Sequence, residues 1–141
     1  MKFAEILDSI FKLPYLAISG DSKLEEAADR VSRTPQIRGI YVVDQQERLQ
    51  GYLSLGVLIR HVIATRPRSQ FHVRSLLSTI TAGKVADLME REVVCAQTDD
   101  RVDTVLDRMI LRNIKQIPVV DKERRIIANL GILDLWNIVK K

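Results

Sequence analysis

Asp99, Asp100 and Asp103 stand close enough along the chain to suggest a cation site. They also open an apolar run of helical period, where carboxylates accept the free N–H groups of a first turn and favour the positive end of the helix dipole. Capping explains them more simply than a metal does. His61 and His72 have no Cys or carboxylate partner at ligand spacing, which argues against zinc. No nucleophile adjoins a base, and no Gly-rich phosphate loop occurs. Cys95 is the one cysteine, so an internal disulfide is excluded; in the run Val93-Val94-Cys95-Ala96 it reads as a small buried residue. An enzyme is not expected. Ser54 and Asp134 remain, each where a β-type run gives way to a helical one. Ser54 reads as a helix cap and Asp134 as an acid near a helix amino terminus.

The elements that carry these residues are written twice. GIYVVDQQERLQG begins at Gly39 and QIPVVDKERRIIA at Gln116, 77 positions later (116 − 39 = 77). Around them Leu24, Ala27, Ala28 and Val31 fall at i, i+3, i+4 and i+7, one face of a helix, and Val102, Val105, Leu106 and Met109 repeat the spacing. Ser22 with Glu25, and Asp100 with Asp103, read as the starts of these helices. The offset here is 78 (102 − 24), so the first copy holds one extra residue, placed near Pro35, which stops the helix.

Two β-branched strands and a turn follow in each copy, then a last helix. Leu55, Leu58, Ile59 and Val62 match Ile132, Leu135, Trp136 and Val139. Short strands, Leu16-Ala17-Ile18 and Val93-Val94-Cys95, precede the copies. Each repeat is thus β-α-β-β-α. The reading divides the chain into an amphipathic helix at 1–14 (Phe3, Ile6, Leu7, Ile10, Phe11), repeat one at 15–64, a linker with a short helix at 65–83, and repeat two at 84–141. A unit this small buries little surface alone. Two copies packed about a pseudo-twofold axis would solve that and leave a cleft. The apolar stripes of the last helices favour association, most simply a homodimer.

The 141 residues are 46% hydrophobic and 28% charged, a folded composition. No apolar run approaches the roughly 20 residues of a membrane span, so no membrane insertion is expected. Glu5 and Asp8 interrupt the amino terminus, against a secretory signal, and the expected setting is cytoplasmic. The net charge of +4 is spread out; its densest group, Arg66, Arg68 and Arg74 beside His72, reads as a solvated linker rather than a nucleic-acid surface.

The order of these pieces, with KVADLM leading into the second copy and IPVVDKERRIIANLGILDL closing it, resembles a CBS-domain pair, or Bateman module. The first copy, with Tyr41 in its strand and the GYLSL turn, is also similar to the CBS pairs of a bacterial magnesium-channel family. The resemblance implies an α+β (α/β) tandem pair. It also implies a regulatory module that binds an adenosine nucleotide (AMP, ADP, ATP or S-adenosylmethionine) in the inter-repeat cleft, modulates a partner protein and dimerises. The alternative is a structural homodimerisation module whose nucleotide sites have decayed.

The family signature runs Gly, two apolar residues, Ser or Thr, two variable residues, Asp. In the family the Gly admits the ligand closely, the hydroxyl and helix amino terminus hold phosphate, and the Asp accepts a ribose diol. The preceding strand meets the base. Here the first copy keeps Gly51 and Ser54 but has Val57 for the Asp and Tyr41 for the strand Pro. The second keeps Asp134 and Pro118 but has Ala128 for the Gly and Gly131 for the hydroxyl residue. The expected ligand-binding residues are Asp134, Gly131, Pro118 and Ile117 in the second copy, with Ser54, Gly51 and Ile18 in the first. No cofactor or metal is expected beyond such a regulatory ligand.

Overall fold

The computed structural model describes residues 1–65 and 83–140. The expected short helix at Phe71, Val73, Leu76 and Leu77, and the basic group with His72, lie outside the described residues. The chain forms two compact units, each built on one three-stranded sheet.

One unit comprises residues 15–46 and 50–93. Its elements are β1 (Leu16–Ser19), α2 (Leu24–Ser32), β2 (Gly39–Val43), β3 (Leu49–Ser54, whose first residue clusters with the other unit), α3 (Leu55–Thr65) and α4 (Val85–Leu88). The sheet order is β1-β2-β3. β1 runs parallel to β2, with Ile18 opposite Val42, and α2 is the crossover such a pair requires. Ile18, Ile40, Val42 and Leu53 meet Leu24, Ala27 and Val31 of α2 and Leu58 of α3 in one core.

The other unit holds residues 1–14, 47–49 and 94–141. It contains α1 (Phe3–Ile6), β4 (Ala96–Gln97), α5 (Val102–Leu111), β5 (Gln116–Val120), β6 (Ile126–Gly131) and α6 (Ile132–Val139). β4 pairs parallel to β5, and β5 antiparallel to β6 with Gln116 opposite Gly131 and Pro118 opposite Asn129. Ile117, Val119, Ala128 and Leu130 form the sheet's share of the core, against Val102, Val105, Leu106, Met109 and Leu135. The helical stripes expected of α2 and α5 are the ones buried.

Several local expectations are corrected. The amino-terminal helix is a single turn, not residues 1–14; its Phe3 and Ile6 are buried, while Phe11 is exposed. The short strand of the second repeat is Ala96–Gln97, not Val93–Cys95, because Ala96 opposite Val119 takes the core place that Ile18 holds opposite Val42. Ser22 and Asp100 do not cap. The N-cap residues are Lys23 and Arg101, and neither makes a side-chain cap bond. The backbones of Ser22 and Asp100 are engaged elsewhere: the Ser22 carbonyl accepts Val85 N–H at 2.9 Å, and the Asp100 carbonyl accepts Phe3 N–H at 3.1 Å.

Those two bonds reveal a further repeated element. Lys2-Phe3-Ala4-Glu5-Ile6 matches Lys84-Val85-Ala86-Asp87-Leu88, 82 positions apart (84 − 2 = 82). Each forms one helical turn. In each the acid reaches back to a lysine N–H, Glu5 to Lys2 at 2.6 Å and Asp87 to Lys84 at 3.2 Å. Each lies along the start of a longer helix: Lys2 bridges Arg101, and Lys23 bridges Lys84. Each also puts one fully buried apolar side chain, Phe3 or Val85, into the core beside it. The segment before the first repeat thus completes the core of the second, and the segment before the second completes that of the first.

Truncating Phe3 removes a large, fully buried side chain. Phe3→Ala is expected to lower unfolding stability by about 3–5 kcal/mol, read as a shift of the urea midpoint.

Candidate functional site

Side chains on a strand alternate between faces. With Ile117 and Val119 committed to the helix-covered core, Gln116 and Pro118 lie on the opposite face of β5, and Asn129 and Gly131 beside them on β6. α6 starts directly from Gly131, whose backbone is extended. A Cβ built on Gly131 would stand 3.3 Å from Asp134 Oδ2 and 3.2 Å from Leu13 Cδ1. The Asp134 carboxylate therefore sits over Gly131, at the edge of this face. Asp134 is half-buried, and among the described residues nothing donates a hydrogen bond to it. On this face Asn129 Nδ2 donates to Gln116 Oε1 at 3.0 Å.

The expected residues thus separate. Asp134 lies beside Gly131, and Pro118 lies on the same face of the sheet, opposite Asn129. Ile117 stands on the neighbouring position, but its side chain is buried in the core. Ile18 is likewise a core residue of its own unit. Any part these two play is left to their backbones. Gly51 is buried, and a Cβ there would meet Met89 Sδ at 2.6 Å and the Glu90 carbonyl at 2.7 Å. Its close approach is to the protein's own chain. The Ser54 hydroxyl accepts Val57 N–H at 3.2 Å, which makes it the cap of α3. Gln116 and Asn129 were not among the expected residues. The alternation of β5 and β6 about the turn would have put them on this face.

The corresponding face of the first repeat carries different groups. Tyr41 occupies the place of Pro118, Tyr52 that of Asn129 and Gly39 that of Gln116 (each 77 apart). Tyr41 packs edge-on to Tyr15, centroids 6.0 Å apart, and tilted against Tyr52 at 5.5 Å. Gly39 makes room: a Cβ there would stand 2.0 Å from the Tyr52 hydroxyl oxygen. Burial raises the Tyr41 phenol above its ordinary value, with the neighbouring Tyr52 and Tyr15 adding to the shift. Burial, then the Glu90 carboxylate, raises Tyr52.

Asp100 and Asp103 make turn and ion-pair contacts. Asp100 accepts Gln97 N–H at 2.9 Å. Asp103 accepts Thr104 N–H at 2.9 Å and pairs with Arg101 at 3.2 Å. Its hydrogen bond from the guanidinium holds this carboxyl below its ordinary range. Among the described residues no group of three or more His, Cys, Asp or Glu could hold a metal ion. None of their helices is long and apolar enough to cross a membrane.

A sequence profile of the CBS domain matches residues 7–64 and 85–141. The chain belongs to the CBS-domain family. It is a tandem pair of mixed α+β content, as the repeated elements implied. Over 134 residues it is 29% identical to the inosine-5′-monophosphate dehydrogenase of Methanocaldococcus jannaschii, covering 95% of this chain but 23% of that enzyme. The cytosolic domain of the Mg2+ channel MgtE, solved in complex with ATP, shares 29% identity at a TM-score of 0.65, over 88% of this chain and 44% of that one. The CBS domain pair of protein MJ0100, solved with 5′-methylthioadenosine and S-adenosyl-L-methionine, shares the fold at a TM-score of 0.66 and 21% identity, over 99% of this chain and 96% of that one.

The buried tyrosine has a consequence for pH. Folding favours the neutral phenol of Tyr41, while the unfolded chain ionises it near 10.0. Its contribution is complete below that pH and is lost as pH rises through the higher folded value. Urea midpoints are expected to fall above about pH 10, and the native phenolate absorbance to lack one tyrosine until the chain unfolds.

Proposed function

We propose that this CBS pair is a regulatory module that binds an adenosine nucleotide (AMP, ADP, ATP or S-adenosylmethionine) through its second repeat and thereby modulates a partner protein. The observation that carries the reading is the Asp134 carboxylate, which lies over Gly131 with no donor among the described residues. A carboxylate so placed accepts both hydroxyls of a ribose diol by charge-assisted hydrogen bonds. The Ile132 N–H is taken by the Lys115 carbonyl at 2.9 Å, and the next N–H groups of α6 suit the phosphate end. Pro118, buried on the same face, would border the base. The relatives solved with ATP and with S-adenosyl-L-methionine support the ligand class. In this reading the module is not itself an enzyme and works in the cytoplasm.

Ligand at 100 times its dissociation constant is expected to add about 2.7 kcal/mol to stability, seen as a rise in Tm. Asp134→Ala removes a charge-assisted bond of about 1.5–3 kcal/mol and should weaken binding by roughly one to two decades. If none of the four ligands moves the Tm at millimolar concentration, the nucleotide reading fails.

A second reading, a homodimerisation module, draws on α6. Leu133 is 73% exposed and Trp136 48%, with Val139 exposed beside them. An apolar stripe of this kind favours a twofold partner. Light scattering should then show a dimer that Trp136→Glu converts to a monomer, with the far-UV spectrum of the folded chain retained.

A further inference from the structure

Asn129 is the one buried polar side chain among the described residues, 1% exposed. A buried amide bonded to another amide adds little net stability, and an apolar pair of the same shape can replace it at no cost. The first repeat fills the same positions with Tyr52 over Gly39, so the sheet itself does not require amides. The second repeat keeps them beside the proposed ligand carboxylate. Gln116 is the direct cross-strand neighbour of Gly131, and Asp134 Oδ2 lies 3.3 Å from the Cβ position of that glycine. Facing Cβ positions are about 5 Å apart in such pairs. One small ligand can therefore touch the amide and the carboxylate together.

The hydrogen bond fixes what the amide can read. Asn129 Nδ2 occupies one lone pair of Gln116 Oε1. Among the described residues nothing else bonds the Gln116 side chain, which leaves the other lone pair and the Nε2 hydrogens as an adjacent acceptor and donor. Adenine presents the complement, the N6 amino group beside the N7 acceptor. A 6-oxo purine presents two acceptors side by side, which suit Arg or Lys instead. We propose that Gln116, held in orientation by Asn129, selects adenine over 6-oxo purines in the site whose carboxylate is Asp134. This rests on the nucleotide reading and adds the base-discriminating residue to it. Gln116 touches the base; Asn129 is a positioning residue.

Isothermal titration of the full chain with AMP against IMP, and ATP against ITP, tests the proposal: each pair exchanges the N6 amino group for O6 and adds a proton at N1, and Gln116→Leu separates the amide's share. The wild type is expected to prefer the adenine member by about tenfold or more, and Gln116→Leu to bring the ratio close to one. Gln116→Leu leaves the buried Asn129 amide without this acceptor, so a lower Tm is expected and the ratios are compared well below it; Asn129→Ser, tested beside it, should reduce the ratio by a smaller factor. An unchanged ratio in Gln116→Leu overturns the proposal. So does a wild type that shows no preference or binds none of the four. If ADP or S-adenosylmethionine still raises the Tm in any of these cases, the nucleotide reading survives and base selection by Gln116 alone is lost.

Discussion

Closure of a small core governs this structure. A three-stranded sheet covered by two helices leaves one end of its apolar interior open, and units of this size have little surface to spare. Here the opening is filled by a single helical turn carrying one buried apolar residue, Phe3 in one unit and Val85 in the other. A turn that short has no stability of its own. It is held by backbone bonds to the start of the long helix it abuts, Phe3 N–H to Asp100 and Val85 N–H to Ser22. The same bonds explain why Ser22 and Asp100 do not cap. Their carbonyls are fixed by a neighbouring segment, and the helix begins one residue later.

Duplication supplied two equivalent faces, and their chemistry has since diverged. In the first repeat three tyrosines pack on one another, and the glycine at 39 exists in part to admit the Tyr52 ring. That face is occupied by its own side chains. In the second repeat the equivalent positions hold a proline and two amides, and the acid of α6 leans over a glycine. A ligand site needs space and convergent polar groups. Among the described residues the second repeat brings polar groups together on this face, and the first repeat fills it with aromatic rings.

Much of this was legible. The helical stripes came from periodicity, since buried faces impose their spacing on the sequence, and the strand pair and turn from β-branched runs broken by polar residues. KVADLM reads as a helical turn and forms one, but its match to KFAEI does not show in the strand register, although both are written in plain view. Five additional residues follow the first copy, so its offset is 82 where the strands repeat at 77 (82 − 77 = 5), and Ile10 and Phe11 prolong an apolar pattern that the helix itself abandons after Ile6. Propensity puts this strand three residues early, because β-branched Val93 and Val94 outweigh alanine. Core fit against Val119 decides otherwise. Gln116 and Asn129 escaped notice because polar residues in strands read as solvent-facing unless the tertiary partner is known.

The split signature looked like decay, and packing gives it another cause. Gly51 is forced by Met89 and the Glu90 carbonyl, which a Cβ would strike at 2.6 and 2.7 Å. Seventy-seven positions earlier, Met89 corresponds to Lys12 and Glu90 to Leu13. Leu13 N–H bonds the Asn129 carbonyl at 2.8 Å, much as Glu90 N–H bonds that of Tyr52 at the same distance. Lys12, however, is exposed and turns its amino group to the Leu7 carbonyl, so no sulfur atom presses on Ala128. Alanine fits there for that reason. The glycine of the first repeat and its absence from the second both follow from what lies beside β3 and β6. Neither reports on a ligand. In the proposed site the residues that bear on one face away from the core, and the acid of α6 stands at the edge of that face.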